Sequence, residues 1–166
     1  IRFLVKTFRR KRPLHTKHDV KRVVIVGLDG MDPDLASQYM KEGKLPNLSE
    51  LSKSGTFQKL QTTLPAMSPV AWSTFITGVD PSRHNIFDFL NRDLRTYLPE
   101  LSSTKIEKSS RSISIGSCSI PLGKPRVKLL RKGRPFWNIL DEYGIFSSII
   151  RVPMTFPPEK LNGVLL

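Results

Sequence analysis

The apolar positions change period several times along the chain, and the changes divide it into elements. From Arg22, RVVIVGLDG is a continuous apolar run without alternation, closed by Asp-Gly. A strand buried on both faces reads this way, and such strands belong to parallel sheets. DPDLASQYMKEGKLP has helical spacing, with Asp32 as cap, Pro33 at the first position and Gly43 as stop. PNLSELSKSG predicts a second short helix ended by Gly55, and TFQKLQTTLP predicts a strand over residues 56–62. LPAMSPVAWSTFITG predicts a helix with Ser68 as N-cap, Pro69 first in the helix, and Val70, Trp72, Phe75 and Ile76 apolar. RPFWNILDEYG predicts an amphipathic helix with Phe136, Trp137, Ile139 and Leu140 inward and Gly144 at its end. Strands follow at IFSSIIRVP and from Gly163.

Up to Phe89 the order is β-α-α-β-α, which suits a sheet with helices packed on its faces. Between residues 91 and 134 the helical period lapses into Ser, Lys and Pro, as in an insertion lying over the edge or mouth of the sheet. Within it SISIGSCSI alternates apolar with small polar residues around Gly116, predicting a half-exposed hairpin.

Charge follows the same division. The net charge is +13, yet residues 1–22 hold nine Lys/Arg against one acid, and residues 104–135 hold the same. The rest sums to −3, so the chain is a near-neutral domain, residues 22–166, with a basic arm or juxtamembrane segment at 1–21. Residues 1–22 suit an anionic membrane surface, because basic side chains are drawn to anionic headgroups. Nucleic acid is a poorer fit, since few aromatics interleave the basic stretches to stack bases. A single Cys118 excludes an internal disulfide and a cysteine-built metal site. No apolar run reaches the roughly 18 residues of a spanning helix, and the opening lacks the order of a secretory signal. A cytoplasmic or membrane-associated location is expected.

Two residues carry candidate chemistry. Asp29 closes the first buried strand at the carboxyl edge where open α/β sheets bind ligands; as half of an Asp-Gly pair it also reads as a turn former. Ser68 either caps its own helix or faces outward, where the helix dipole stabilises an alkoxide or a bound phosphate. An outward serine beside a carboxylate that holds a divalent cation is the arrangement metal-assisted phosphoryl transfer needs.

The segments VVIVGLDGMDPDL, KLPNLSELSKSGTF, SPVAWSTFITGVDPSRHNIFDF and RKGRPFWNILDEYGI resemble the amino-terminal part of the alkaline phosphatase superfamily. The branch they are most similar to is the type I phosphodiesterase/nucleotide pyrophosphatase-like proteins, predicted phosphohydrolases or phosphomutases. The resemblance spans residues 22–166. It implies a three-layer α/β/α sandwich around a mainly parallel sheet, here as an incomplete amino-terminal part. It also implies two divalent metal ions, zinc first and manganese as the alternative. Asp29 matches the aspartate that binds one metal, and Ser68 matches the nucleophile that ligates the same metal. His84 falls in a segment where the family histidine is usually structural, and it is not a ligand in this reading. The chain departs from its relatives at Asn85, where they often have Gly. The phosphate-contacting Asn of nucleotide pyrophosphatases falls near Phe89, with Asp88 and Asn91 close by but unmatched.

The expected function is therefore a phosphoric-ester hydrolase, phosphodiesterase or phosphatase, working through a phospho-serine intermediate on a phosphate-ester substrate. A phosphomutase of the same superfamily is the alternative, since the same intermediate can pass to another hydroxyl. A non-catalytic anion-binding or membrane-surface module built on the two basic segments is the competing class. The remaining metal ligands are expected outside these residues, which alone are expected to be inactive and marginally stable.

Overall fold

The computed structural model describes residues 21–107, 112–115, 118–121 and 123–166. They fall into two compact units, Val20–Thr62 and Thr63–Leu166. The basic arm expected at 1–21 lies almost wholly outside the described residues.

In the first unit, helix α1 is Pro33–Lys41 and helix α2 is Pro46–Ser54. The Asp32 carboxylate accepts the amides of Asp34 at 2.7 Å and Leu35 at 3.0 Å, two of the donors that a helix start leaves without a partner. Gly43 ends this stretch at φ 73°, a left-handed conformation that only Gly adopts without strain. Gly55 follows α2 as predicted.

The strands expected at 23–28 and 56–62 do not form among the described residues. Val23, Val24, Ile25, Val26 and Leu28 are 58–77% exposed, and Leu60 is 95% exposed. The apolar run is real, but a strand is a pairing. Without a hydrogen-bonded neighbour its composition alone does not make one.

The second unit begins with helix α3, Ser68–Thr77, and the single turn α4, Pro81–His84. Met67 is the N-cap of α3, its carbonyl accepting the amides of Val70 and Ala71 at 3.0 Å. Ser68 is therefore the first helical residue rather than the cap, one position later than expected. Gly78 closes the helix at φ 66°.

The region read as an insertion contains more structure than one hairpin. Strands β1 (Leu90–Arg92) and β2 (Pro99–Leu101) pair antiparallel. Strand β3 (Thr104–Glu107) pairs with β6 (Arg126–Leu129), and nested between them β4 (Ser112–Ile115) pairs with β5 (Cys118–Pro121), the predicted hairpin. The β3–β6 register sets Lys105 opposite Lys128, a repulsive cross-strand pair. Each lysine takes an acid to offset it, Glu100 at 3.0 Å and Glu107 at 3.5 Å.

Helix α5 is Phe136–Glu142, and strands β7 (Ser147–Ile149) and β8 (Gly163–Leu165) pair in parallel. The core sits between these elements. Ile76 of α3, Trp137 of α5 and Ile149 of β7 are buried together, with Phe136, Val152, Met154, Leu161 and Leu165 packed against them. Edge-on aromatic contacts run from Trp72 to Phe75, Phe75 to Phe136 and Phe136 to Trp137, with ring centroids 5.9, 5.7 and 5.1 Å apart. Ile139, expected inward, is 43% exposed. Over so short a helix the inward face holds Phe136, Trp137 and Leu140 and turns Ile139 away.

Helix and strand content is thus mixed, as an α/β class requires. The described strands form four separate two-stranded sheets, of which only β7–β8 is parallel, so the expected single parallel sheet is not assembled. Parallel strands bury both faces and are stable only with neighbours on either side.

The β7–β8 pair gives a direct test. A Cβ on Gly163 would lie 1.8 Å from the Ser147 carbonyl oxygen, so this strand needs a residue without a side chain. Gly163→Ala should destabilise the protein by about 1–3 kcal/mol, the usual cost of overpacking, read as a lower urea midpoint. Ile139→Ala on the exposed face of α5 should change it by less than about 0.5 kcal/mol.

Candidate active site

Ser68 heads α3, and the local sequence explains why a helix starts there. Pro69 has the fixed φ of a first turn and lacks an amide that would go unbonded. Two of the hydroxyls behind it are satisfied within the helix. Ser73, fully buried, donates from Oγ to the Pro69 carbonyl at 2.6 Å, and Thr77 donates from Oγ1 to the Ser73 carbonyl at 2.6 Å. Bonding back along the helix lets small hydroxylic residues enter a packed interface at no cost in unpaired groups.

Ser68 itself is half-buried at the positive end of the helix dipole. The first turn does not present a fan of amides: Pro69 has none, and those of Val70 and Ala71 are given to Met67. What the helix offers an anion here is its dipole rather than a cradle of donors at residues 69–71.

Asp29 lies in the other unit, exposed, in the turn Asp29–Gly30, with Gly30 at φ 68°. The turn leads directly to Asp32 and α1, so it both reverses the chain and leaves a carboxylate at the end of the apolar run. Asp29 and Ser68 stand on different units, each placed by its own local structure.

The Asp80–His84 spacing is also the spacing of a ligand pair on one helical face, but the geometry assigns both residues to other work. Asp80 caps α4 through the Arg83 amide and accepts the Ser82 hydroxyl at 2.5 Å. His84 is fully buried. Its Nδ1 accepts the Ile86 amide at 3.2 Å, so the ring proton is on Nε2, which donates to Thr74 Oγ1 at 2.9 Å. Its carbonyl accepts the Lys132 amide at 2.8 Å. The imidazole thus ties α3 to α4, and the backbone carbonyl of the same residue ties α4 to the segment entering α5, a structural role.

Asn85 follows at φ 64°. This is the left-handed conformation that Gly takes freely and Asn tolerates better than other residues.

Arg131 is the feature that the sequence reading missed. Its guanidinium is buried and donates to the carbonyls of Met154 at 3.3 Å and Gly133 at 3.5 Å, with Glu159 at 3.6 Å. Glu159 also accepts from the Asn138 amide nitrogen at 2.7 Å. An Arg in a basic stretch carries no sequence signal for burial, since two of its partners, Met154 and Glu159, lie more than 20 residues downstream.

Among the described residues no three His, Cys, Asp or Glu side chains converge as a metal site. No described helix is long and apolar enough to cross a membrane.

Residues 23–160 match the family model described as type I phosphodiesterase/nucleotide pyrophosphatase. The chain belongs to this family, a branch of the alkaline phosphatase superfamily. The family supports a hydrolase acting on phosphate esters. Comparison with curated proteins gave no match, and comparison with solved structures gave none.

The His84 geometry makes stability depend on pH. Burial, and then the nearby Arg131 charge, hold its pKa below the usual 6.5, with Asp80 opposing weakly. The unfolded chain therefore takes up a proton at this ring before the folded one does. The stability His84 contributes is fully present above pH 6.5 and falls as pH drops from there through the lower folded value. Urea midpoints measured from pH 7.5 downward should show this loss, and His84→Gln should flatten it within that window.

Proposed function

We propose that the protein is a metal-dependent phosphoric-ester hydrolase whose nucleophile is Ser68, within a three-layer α/β/α fold of the superfamily. The family match carries this reading. It is supported by the position of Ser68 in the first turn of a helix whose other end is anchored in the core through Ile76 and the His84–Thr74 bond.

In this scheme Ser68 Oγ attacks phosphorus in line with the departing ester oxygen. The new P–O bond forms as the old one breaks; the Oγ proton passes to water and the leaving oxygen takes a proton from water. A second in-line attack, by water, releases phosphate from a monoester substrate or the phosphate monoester from a diester, and returns a proton to the serine oxygen. The helix dipole favours both the attacking oxyanion and the phosphoryl charge. Anchoring α3 fixes the direction of attack, because orientation contributes much of the rate in such transfers.

The metal dependence rests on the family, which is usually metal-dependent. Asp29 and Ser68 are the donors this reading gives to one divalent ion. Two donors are fewer than such an ion takes, and the described residues add no third. They do not fit a two-metal centre, and no step above is drawn through one.

Ser68→Ala should abolish turnover of an aryl phosphate or phosphodiester and leave the fold intact. Ser68 is only half-buried and is not the cap of α3, so its loss should cost about 1 kcal/mol or less, which is survivable. Activity above one-tenth of wild type would remove Ser68 as nucleophile. Asp29→Asn should lower bound metal by elemental analysis with little change in urea midpoint, because an amide oxygen is a poorer ligand than a carboxylate. Equal metal content in both would return Asp29 to a turn residue.

A further inference from the structure

The buried stripe of α3 is Pro69, Val70, Ser73 and Ile76, and Ser73 is its only polar member. Ser73 sits one turn beyond Pro69 on the same face, with its side chain directed back along the helix. The residue is fully buried, and its Oγ donates to the Pro69 carbonyl at 2.6 Å. Ser is a weaker helix former than Ala, and a hydroxyl costs more than a methyl group to take out of water. Helix stability alone gives no reason for a hydroxyl there.

The bond lands on the residue next to Ser68. Pro69 has no amide, so its carbonyl is the only polar group by which its backbone can be held. The rest of the first turn hangs on one acceptor, the Met67 carbonyl, which takes the amides of both Val70 and Ala71 at 3.0 Å. Farther along, the helix is anchored separately, through Ile76 in the core and through the His84 Nε2 bond to Thr74 Oγ1. A serine hydroxyl bonded to the carbonyl four residues back often bends its helix. Here such a bend falls between residues 69 and 73. It sets the angle of the first turn, Ser68 included, against a helix body that cannot follow. Thr77 makes the matching bond to the Ser73 carbonyl, also at 2.6 Å, at the end of α3 away from Ser68.

We propose that Ser73 is a positioning residue for Ser68: its hydroxyl, acting through the Pro69 carbonyl, aims the nucleophile at phosphorus in line with the departing ester oxygen. This rests on the hydrolase reading above and adds to it a residue that touches neither substrate nor metal.

The test is steady-state hydrolysis of an aryl phosphate by the wild type, Ser68→Ala, Ser73→Ala and Thr77→Ala, with a urea midpoint for each. Ser73→Ala should lower kcat by about tenfold or more, because a small misplacement of reacting atoms slows the chemical step strongly. Its KM should stay within about twofold of wild type, since no group that binds substrate is removed. Thr77→Ala loses the matching bond and a methyl group besides. Its urea midpoint should fall at least as far as that of Ser73→Ala, with kcat unchanged. Ser73→Ala retaining more than about half of the wild-type kcat would overturn the proposal while Ser68→Ala, if inactive, upheld the hydrolase reading. An equal loss of kcat in Thr77→Ala would overturn it too, by making the effect one of helix stability. So would a loss read in KM rather than kcat. Full turnover by Ser68→Ala would instead fail the hydrolase reading, and leave Ser73 no nucleophile to aim.

Discussion

Trp137 is the constraint on which the second unit depends. Its indole, 1% exposed, joins the helix that carries Ser68 to the parallel strand pair. The buried set is small, so one large ring supplies much of the apolar area removed from water. Truncating a ring of this size in a core costs about 3–5 kcal/mol, a large share of any domain's stability. The aromatic contacts from Trp72 through Phe75 and Phe136 extend the same anchor along α3. The position of Ser68 is therefore set by packing more than by its own cap.

Polar groups complete what the small core leaves undone. His84 and Arg131 are both buried, both charged or chargeable, and lie near enough for the Arg131 charge to depress the histidine pKa. Neutral imidazole is the form that accepts the Ile86 amide, so the arginine favours the protonation state that the hydrogen bonds require. The guanidinium in turn needs Glu159 and two carbonyls, and through Glu159 and the Met154 carbonyl it binds the segment before α5 to the chain after β7. A buried cation with one partner removed is costly, so these contacts make the C-terminal stretch part of the fold.

The first unit shows the opposite balance. Its first helix is capped by Asp32 and its second has no side-chain cap, and Ala36 is its only buried apolar residue among those described. The run at 23–28 has the composition of an interior strand and the exposure of a surface one. Large exposed apolar surfaces of this kind ask for cover.

Local signals determined what local forces control. Helices at 33–41, 46–54, 68–77 and 136–142 were legible because Asp32, the Pro residues at helix starts, and Gly43, Gly55, Gly78 and Gly144 act within a few residues of themselves. The hairpin around Gly116 was legible from alternation, and the family from segments agreeing along the chain. Tertiary structure alone decided which apolar runs become strands, since a ladder needs a partner far away in sequence: 147–149 found residues 163–165, and 23–28 found none among those described. It decided that Arg131 is interior and Ile139 is not, because burial depends on what a side chain faces rather than on what it is. It also moved Ser68 from cap to first helical residue, when the Met67 carbonyl took the first amides of the helix.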